Sequence, residues 1–192
     1  MADLHPEQRA ALAYVETRGT QAPVESIRSR LHRIVAEADE LLQGISPEAA
    51  RRSPPDGGWS VLEVVDHLVV SHRPAAEELR ELLAGREPQG GPIPAGLQSD
   101  DVGTLAWDEA LRRFRQVHHD FLARVDGAED ATPQTARAPV LMVVKCRTAD
   151  GLVPIHWTEV FDWKAYTLLV GLHVKEHLAQ IRRVLADVDS AA

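Results

Sequence analysis

The chain has 192 residues, a formal net charge of −8 and a pI of about 5.6. Its length fits one domain, and 44% hydrophobic with 26% charged residues is typical of a soluble globular protein. No cluster of Lys and Arg stands out, so we expect no nucleic-acid partner. Cys146 is the one cysteine, which excludes an internal disulfide and fits a cytoplasmic location.

The N-terminus lacks the apolar segment of a signal peptide, and no apolar run reaches the roughly 18 residues that span a bilayer. We therefore expect no membrane association. We interpret residues 1–192 as a single domain, with residues 1–22 as an N-terminal extension.

The first strong helix signal covers residues 24–43, with Pro23 at its start and Gly44 as its stop. Its apolar stripe consists of Val24, Ile27, Leu31, Ile34, Val35, Ala38, Leu41 and Leu42. Residues 4–18 favour a shorter helix, whose apolar positions are mostly Ala.

A second helix is predicted from about Ser60 to Ala84, because Ser60 and Glu63 have the S-x-x-E form of a capping box. Pro74 lies inside this pattern and predicts a kink or a break. Residues 85–103 follow as a long loop rich in Pro and Gly, and loops of this length are often functional.

A third helix is predicted over residues 104–125, with Thr104 as its cap. The pattern then changes: residues 140–144 favour β structure, and the Asp-Gly pair at 150–151 is a turn signal. We expect a short β-hairpin or an extended crossover there, and a last helix over about 157–188.

Four long amphipathic helices predict an all-α fold, a four-helix bundle. The connections before the third and fourth helices are long, so a simple up-down-up-down order is not required.

His173 and His177 lie four residues apart in the last predicted helix, about 40° apart around its axis. They continue the apolar stripe of that helix and therefore face inward. Helix bundles build metal sites in their cores from facing helices, and a catalytic site typically has three protein ligands. The third ligand is then expected from another helix.

Two histidines of the second helix are candidates for this third ligand. On a helical wheel, His72 lies near the middle of the apolar arc and His67 lies beyond its edge, so periodicity favours His72. A ligand that lines a cleft at one end of a bundle would nevertheless sit as His67 does. His118 of the third helix is a further candidate.

A combination of short motifs resembles the DinB-like superfamily of four-helix bundles, particularly its YfiT-like branch of metal-dependent hydrolases. The motifs are Trp59-Ser60, Glu63, His67-Leu68, His173-x-x-x-His177 and Gln180-Ile181. The resemblance implies a three-histidine site of His67, His173 and His177 for zinc, nickel or a similar divalent ion. It also implies an up-down-down-up bundle and a homodimer.

The resemblance leaves the reaction open, since similar proteins include S-transferases that use bacillithiol or mycothiol and a thiol-dependent isomerase. We expect a metalloenzyme that acts on a small molecule by hydrolysis or by transfer of a low-molecular-weight thiol, with water or thiol at an open position of the ion. Glu63, one turn before His67, and Glu176, beside His177, are candidate catalytic bases.

Two other hypotheses compete with this one. One is a non-catalytic metal- or small-ligand-binding bundle of the stress response, and the other is a dimeric structural bundle without metal. An enzyme needs a substrate cleft, and we expect residues 85–103 and 127–156 to form its walls. Trp59 and Trp157 are candidates to line it.

Overall fold

The computed structural model describes residues 4–149 and 151–190. Within these residues the elements in chain order are α1 (Pro6–Val15), a π-helical turn (Glu16–Thr20), α2 (Val24–Gln43), α3 (Pro47–Arg51), α4 (Val61–Leu83), α5 (Trp107–Asp126), β1 (Ala138–Thr148), β2 (Gly151–Phe161) and α6 (Trp163–Ser190). The four long helices α2, α4, α5 and α6 form the predicted bundle.

The contacts between helices give their directions. α4 and α5 are parallel, because His72 meets His118 and, further along both helices, Glu77 pairs with Arg124. α6 is antiparallel to α4, and α2 is antiparallel to α5. The contacts that establish this are His67–His173, Glu78–Tyr166, His32–Asp126 and Asp39–Arg115. The bundle therefore has the up-down-down-up order that the family resemblance implies.

The parallel arrangement of α4 and α5 explains the long loop between them. Antiparallel neighbours can be joined by a few residues, whereas a chain that joins parallel helices must run back along the bundle. On this return path, Ser99 donates from its backbone N–H and its hydroxyl to the Asp66 carboxylate, at 2.7 and 2.6 Å. The loop is thereby fastened to the first half of α4.

The start of α4 follows the predicted capping box. The Ser60 hydroxyl accepts from the backbone N–H of Glu63, and the Glu63 carboxylate accepts from the backbone N–H of Ser60 at 2.7 Å. α4 continues through Pro74 without the predicted break.

α5 begins at Trp107, three residues later than predicted. The Thr104 hydroxyl donates to the Asp101 carbonyl instead of capping the helix. The indole N–H of Trp107 donates to the buried Ile45 carbonyl, which ties the start of α5 to the segment after α2.

The segment before the last helix is a full β-hairpin of two 11-residue strands, longer than the predicted β run. The strands are antiparallel, with Ala138 opposite Phe161 and Thr148 opposite Gly151. Gly151 opens β2 at a φ of +105°, which suits glycine, while Asp150 of the predicted turn lies outside the described residues.

The last helix begins at Trp163, so its predicted start at Trp157 is wrong. Trp157 pairs with Met142 across the hairpin, and the β-branched and aromatic residues of β2 favour a strand there. The helix starts where Asp162 accepts from the backbone N–H groups of Lys164 and Ala165, at 2.9 and 3.1 Å, as an N-cap residue does.

The N-terminal segment packs against the hairpin and the start of α6. Val15 belongs to a buried cluster with Met142, Phe161 and Ala165. The division into a single bundle domain and an extension over residues 1–22 stays a prediction. No helix of the described residues is long and apolar enough to cross a membrane.

We predict that Gly19→Ala destabilises the protein. Gly19 is buried, and a Cβ atom there would lie 2.7 Å from the Cα atom of Ala165, so α6 or the π-helical turn must shift. Overpacking of this kind typically costs about 1–3 kcal/mol of unfolding free energy, measurable by urea denaturation. Gly103→Ala is the matched control, because a Cβ atom there meets nothing within 4 Å. Equal stability of the two variants would contradict the close approach.

Candidate metal centre

Three histidines bring their Nε2 atoms together between α4 and α6. The Nε2 atom of His173 lies 3.2 Å from that of His67 and 3.0 Å from that of His177. The ligand atoms of all three lie within 4.8 Å of one another. His173 and His177 meet because they are one helical turn apart, and His67 reaches them from the facing helix. We call this group the three-histidine site.

The outer nitrogens of two of these rings face oxygen atoms. His67 Nδ1 lies 2.7 Å from the Leu97 carbonyl oxygen, and His177 Nδ1 lies 2.7 Å from the amide oxygen of Gln180. Carbonyl oxygens only accept hydrogen bonds, so we assign the proton of each neutral ring to Nδ1. The Nε2 atoms at the centre of the site then carry lone pairs.

Burial keeps these rings neutral. Desolvation, reinforced by the neighbouring histidines, lowers the pKa of His173 to about 3. Desolvation likewise lowers the pKa of His177 to about 4 and lowers that of His67. At neutral pH the site therefore presents neutral imidazoles, the form that binds a metal ion.

The arrangement fits a divalent ion. A tetrahedral ion with Zn–N bonds of about 2.0–2.1 Å needs nitrogen atoms about 3.3–3.4 Å apart, close to the observed 3.0 and 3.2 Å. Lone pairs that face each other at this distance repel, and a cation between them removes the repulsion. Imidazole nitrogens suit zinc, nickel and similar borderline ions.

Asp66 fixes the loop that supports His67. Its carboxylate is buried and accepts both hydrogen bonds of Ser99, and Leu97 two residues earlier supplies the carbonyl that faces His67. Sequence reasoning missed Asp66. The signal was a second acidic residue, three positions after Glu63, within the largely apolar run over 61–70.

The competing candidates His72 and His118 lie beside the three-histidine site, in the core. His72 Nε2 is 2.9 Å from His173 Nδ1, and His72 Nδ1 is 3.0 Å from His118 Nε2. Both are about 2% exposed. Periodicity thus correctly placed His72 inside the bundle, while His67 lies where the cleft opens.

The two predicted glutamates lie in different surroundings. Glu63 is engaged at the start of α4, where its carboxylate accepts from both the backbone N–H and the hydroxyl of Ser60. Glu176 is exposed and lines the cleft together with its neighbour His177. The geometry therefore brings Glu176, and not Glu63, to the cleft.

A cleft of about 620 Å³ opens onto the three-histidine site. Its walls include residues 93–96 of the long loop and 139–144 of β1, which are parts of the two segments predicted to form them. Trp59 also lines it, with its ring centroid 5.1 Å from that of His67. Trp157 instead packs against the buried cluster around Met142, so its predicted place in the cleft is wrong.

Cys146 is a free cysteine and is buried in β1. Its Sγ atom lies within 4.8 Å of ligand atoms of His5 and Glu7. Glu7 also accepts from the backbone N–H of Arg147, at 3.2 Å. We interpret this group as the connection between α1 and β1.

A family model of the DinB superfamily matches residues 30–181. The chain belongs to the DinB superfamily. The matched range contains all of α4, α5 and the hairpin together with the three-histidine site, and the N-terminal segment precedes it. A search of curated proteins finds no match.

Solved structures agree with this DinB fold. YfiT from Bacillus subtilis, described as a probable metal-dependent hydrolase with an unusual four-helix bundle topology, is 16% identical; the match has a TM-score of 0.62 and covers 86% of this chain and 87% of YfiT. The four-helix bundle protein TT2238 is also 16% identical, with a TM-score of 0.52 over 83% of this chain and 98% of its own. A mycothiol-dependent maleylpyruvate isomerase is 11% identical, with a TM-score of 0.61 over 84% of this chain and 62% of its own. At these identities the likeness concerns the fold.

We predict that the metal-free protein loses stability as the pH falls from about 6.5 towards 4. Burial lowers the pKa of His118 to about 4, so in this range the unfolded chain binds a proton that the native protein does not. One such histidine contributes a slope of up to about 1.4 kcal/mol per pH unit. In urea titrations at several pH values, His118→Gln should flatten the slope by roughly this amount.

The exposed neighbour His119 provides the control, and His119→Gln should leave the slope as it is in the wild type. An unchanged slope in His118→Gln would contradict the neutral, buried state of His118.

Proposed function

We propose that this DinB protein is a metal-dependent enzyme whose three-histidine site, His67, His173 and His177, binds one divalent ion, with zinc or nickel the best suited. It acts on a small molecule by hydrolysis or by transfer of a low-molecular-weight thiol. The observation that carries the proposal is the convergence of three neutral Nε2 atoms, from one buried and two partly buried histidines, at the mouth of a cleft.

The cleft supports a small-molecule substrate. Its volume of about 620 Å³ lies within the usual range for ligand pockets, about 300–1,000 Å³. Apolar side chains such as Val140, Met142 and Leu169 line much of it, and Glu176 and Arg183 add charge near His177. Such a cleft can hold an apolar group and orient a charged one.

Three neutral imidazoles leave the full charge of a divalent ion, which when bound would activate a water or a thiol for attack. The protein's own contribution is geometric. Leu97 and Gln180 hold the rings of His67 and His177.

Glu176 is the proposed proton acceptor. It follows Lys175 and precedes His177 on α6, lines the cleft and is exposed, so that a carboxylate there is free to take a proton from an attacking nucleophile. The contact with Ser60 gives Glu63 a structural place at the start of α4 instead.

The similarity to two solved structures supports the two proposed reactions, hydrolysis and thiol transfer. YfiT is described as a probable metal-dependent hydrolase, and the isomerase depends on mycothiol. The choice between them needs assays, because a three-histidine site with an open face suits both.

We predict about one divalent ion per chain by elemental analysis of protein from which any tag has been removed. His67→Ala and His173→Ala should lose it, because two ligands seldom retain a zinc-type ion, and His119→Ala, on the exposed face of α5, should keep it. Chelation should abolish turnover and zinc or nickel should restore it.

The activity screen should pair p-nitrophenyl esters for hydrolysis with a chlorinated aromatic electrophile for thiol transfer, supplied with bacillithiol, mycothiol or cysteine. The reaction that His67→Ala reduces at least about 100-fold is the one that uses the ion. A bound ion without turnover of either the esters or the electrophile would favour the alternative of a non-catalytic metal- or small-ligand-binding bundle. No ion, even after incubation with zinc and nickel, would overturn the proposal.

We also propose a homodimer in the cytoplasm. Val143, Leu152 and Val160 are exposed, and the strand register places them on one face of the hairpin. Sedimentation of the purified protein would give the oligomeric state, and a monomer at micromolar concentration would contradict the dimer.

A further inference from the structure

Two buried histidines, His72 and His118, have no place among the three ligands of the proposed site. We call them the buried histidine pair. His72 lies on α4 and His118 on α5, and together they extend from the core to the Nδ1 atom of His173. A histidine is an expensive residue to bury, so two in contact call for an explanation.

The Phe114 carbonyl sets the direction of the hydrogen bonds. It lies 2.8 Å from His118 Nδ1, and a carbonyl oxygen can only accept, so His118 carries its proton on Nδ1. In a neutral ring His118 Nε2 is then an acceptor. It lies 3.0 Å from His72 Nδ1, which must therefore donate to it.

A neutral imidazole has one donor and one acceptor nitrogen, and this also fixes the direction of the hydrogen bond between His72 and His173. With its proton on Nδ1, His72 offers a lone pair on Nε2, 2.9 Å from His173 Nδ1. His173 Nδ1 then donates, and His173 Nε2 is left with its lone pair towards His67 and His177. The reverse order would place the His118 Nδ1 lone pair against the Phe114 oxygen, two acceptors at 2.8 Å.

The buried histidine pair gives the Nδ1 atom of His173 a hydrogen-bond acceptor, which His67 and His177 obtain directly from oxygen atoms. Leu97 and Gln180 provide an oxygen acceptor to His67 and His177. The Nδ1 atom of His173 faces His72, and its hydrogen bonds lead through two imidazoles to the Phe114 carbonyl oxygen. Complete burial favours neutral rings, which this order of donors and acceptors requires.

We propose that His72 and His118 are positioning residues that fix His173 as its Nδ1–H tautomer, so that Nε2 faces the ion. The inference rests on the proposed function for its purpose, but the tautomer that it predicts is present without any metal. α5 thereby contributes to the site although it provides no ligand.

The experiment is long-range ¹H–¹⁵N NMR on histidine-labelled full-length protein, first without metal. This measurement distinguishes the two tautomers of each imidazole. We expect the Nδ1–H form for His72, His118 and His173. A proton on Nε2 of His72 or of His173 would overturn the proposal, whether or not the protein binds metal.

Variants at position 72 test the effect on zinc affinity. His72→Leu removes the acceptor, so His173 should become a mixture of tautomers, and loss of such an outer partner typically weakens metal binding about 10–100-fold. His72→Gln retains an acceptor and a donor and should bind zinc within about threefold of the wild type. His119→Leu, on the exposed face of α5, should match the wild type.

Circular dichroism of each variant verifies the fold before titration with zinc. A folded His72→Leu protein with the wild-type affinity and a single His173 tautomer would overturn the proposal. If the wild type binds no zinc, the proposed function fails, while the tautomers of the metal-free protein still decide whether the buried histidine pair acts as described.

Discussion

Lone pairs that point at one another are unfavourable, and the structure around the three-histidine site holds such lone pairs in place. Leu97 and Gln180 accept from the outer nitrogens of His67 and His177, and His72 does the same for His173. Each contact turns a ring so that its Nε2 atom faces the centre. The proposed divalent ion would make this arrangement favourable, because it would attract all three lone pairs at once.

The order of the helices makes these contacts available. Because α4 and α5 are parallel, their connection must return along the bundle, and this return brings Leu97 over His67. The same arrangement places His118 beside His72, so that a helix without a ligand supports the site from the core. The hairpin before α6 then provides the second wall of the cleft. Topology, cleft and site are therefore consequences of one packing scheme.

Much of the fold could be predicted from the sequence, because it is encoded locally. The stripe over residues 24–43 and the Ser60–Glu63 capping box gave the bounds of α2 and the start of α4 closely. The start of α6 could not be found in this way. The apolar Trp157 fits the periodicity of a helix as well as that of a strand. Its strand partner Met142 is 15 residues away, so local sequence does not reveal the pairing.

The candidate site, too, could be predicted from the sequence only in part. The spacing of His173 and His177 indicates a shared face, but the choice of His67 came from the family resemblance, since periodicity favoured His72. Neither source could reveal the Leu97 carbonyl, because a backbone atom of a loop has no sequence signature. The histidine pattern also could not distinguish a ligand from a supporting residue, because both face inward.

The most direct test is a crystal structure of the zinc-loaded protein with anomalous diffraction measured on both sides of the zinc absorption edge. We predict one zinc peak at about 2.0–2.1 Å from the Nε2 atoms of His67, His173 and His177, with His72 and His118 outside the coordination shell. Zinc bound through His72 or His118, zinc at another place, or an empty three-histidine site at saturating zinc would contradict it.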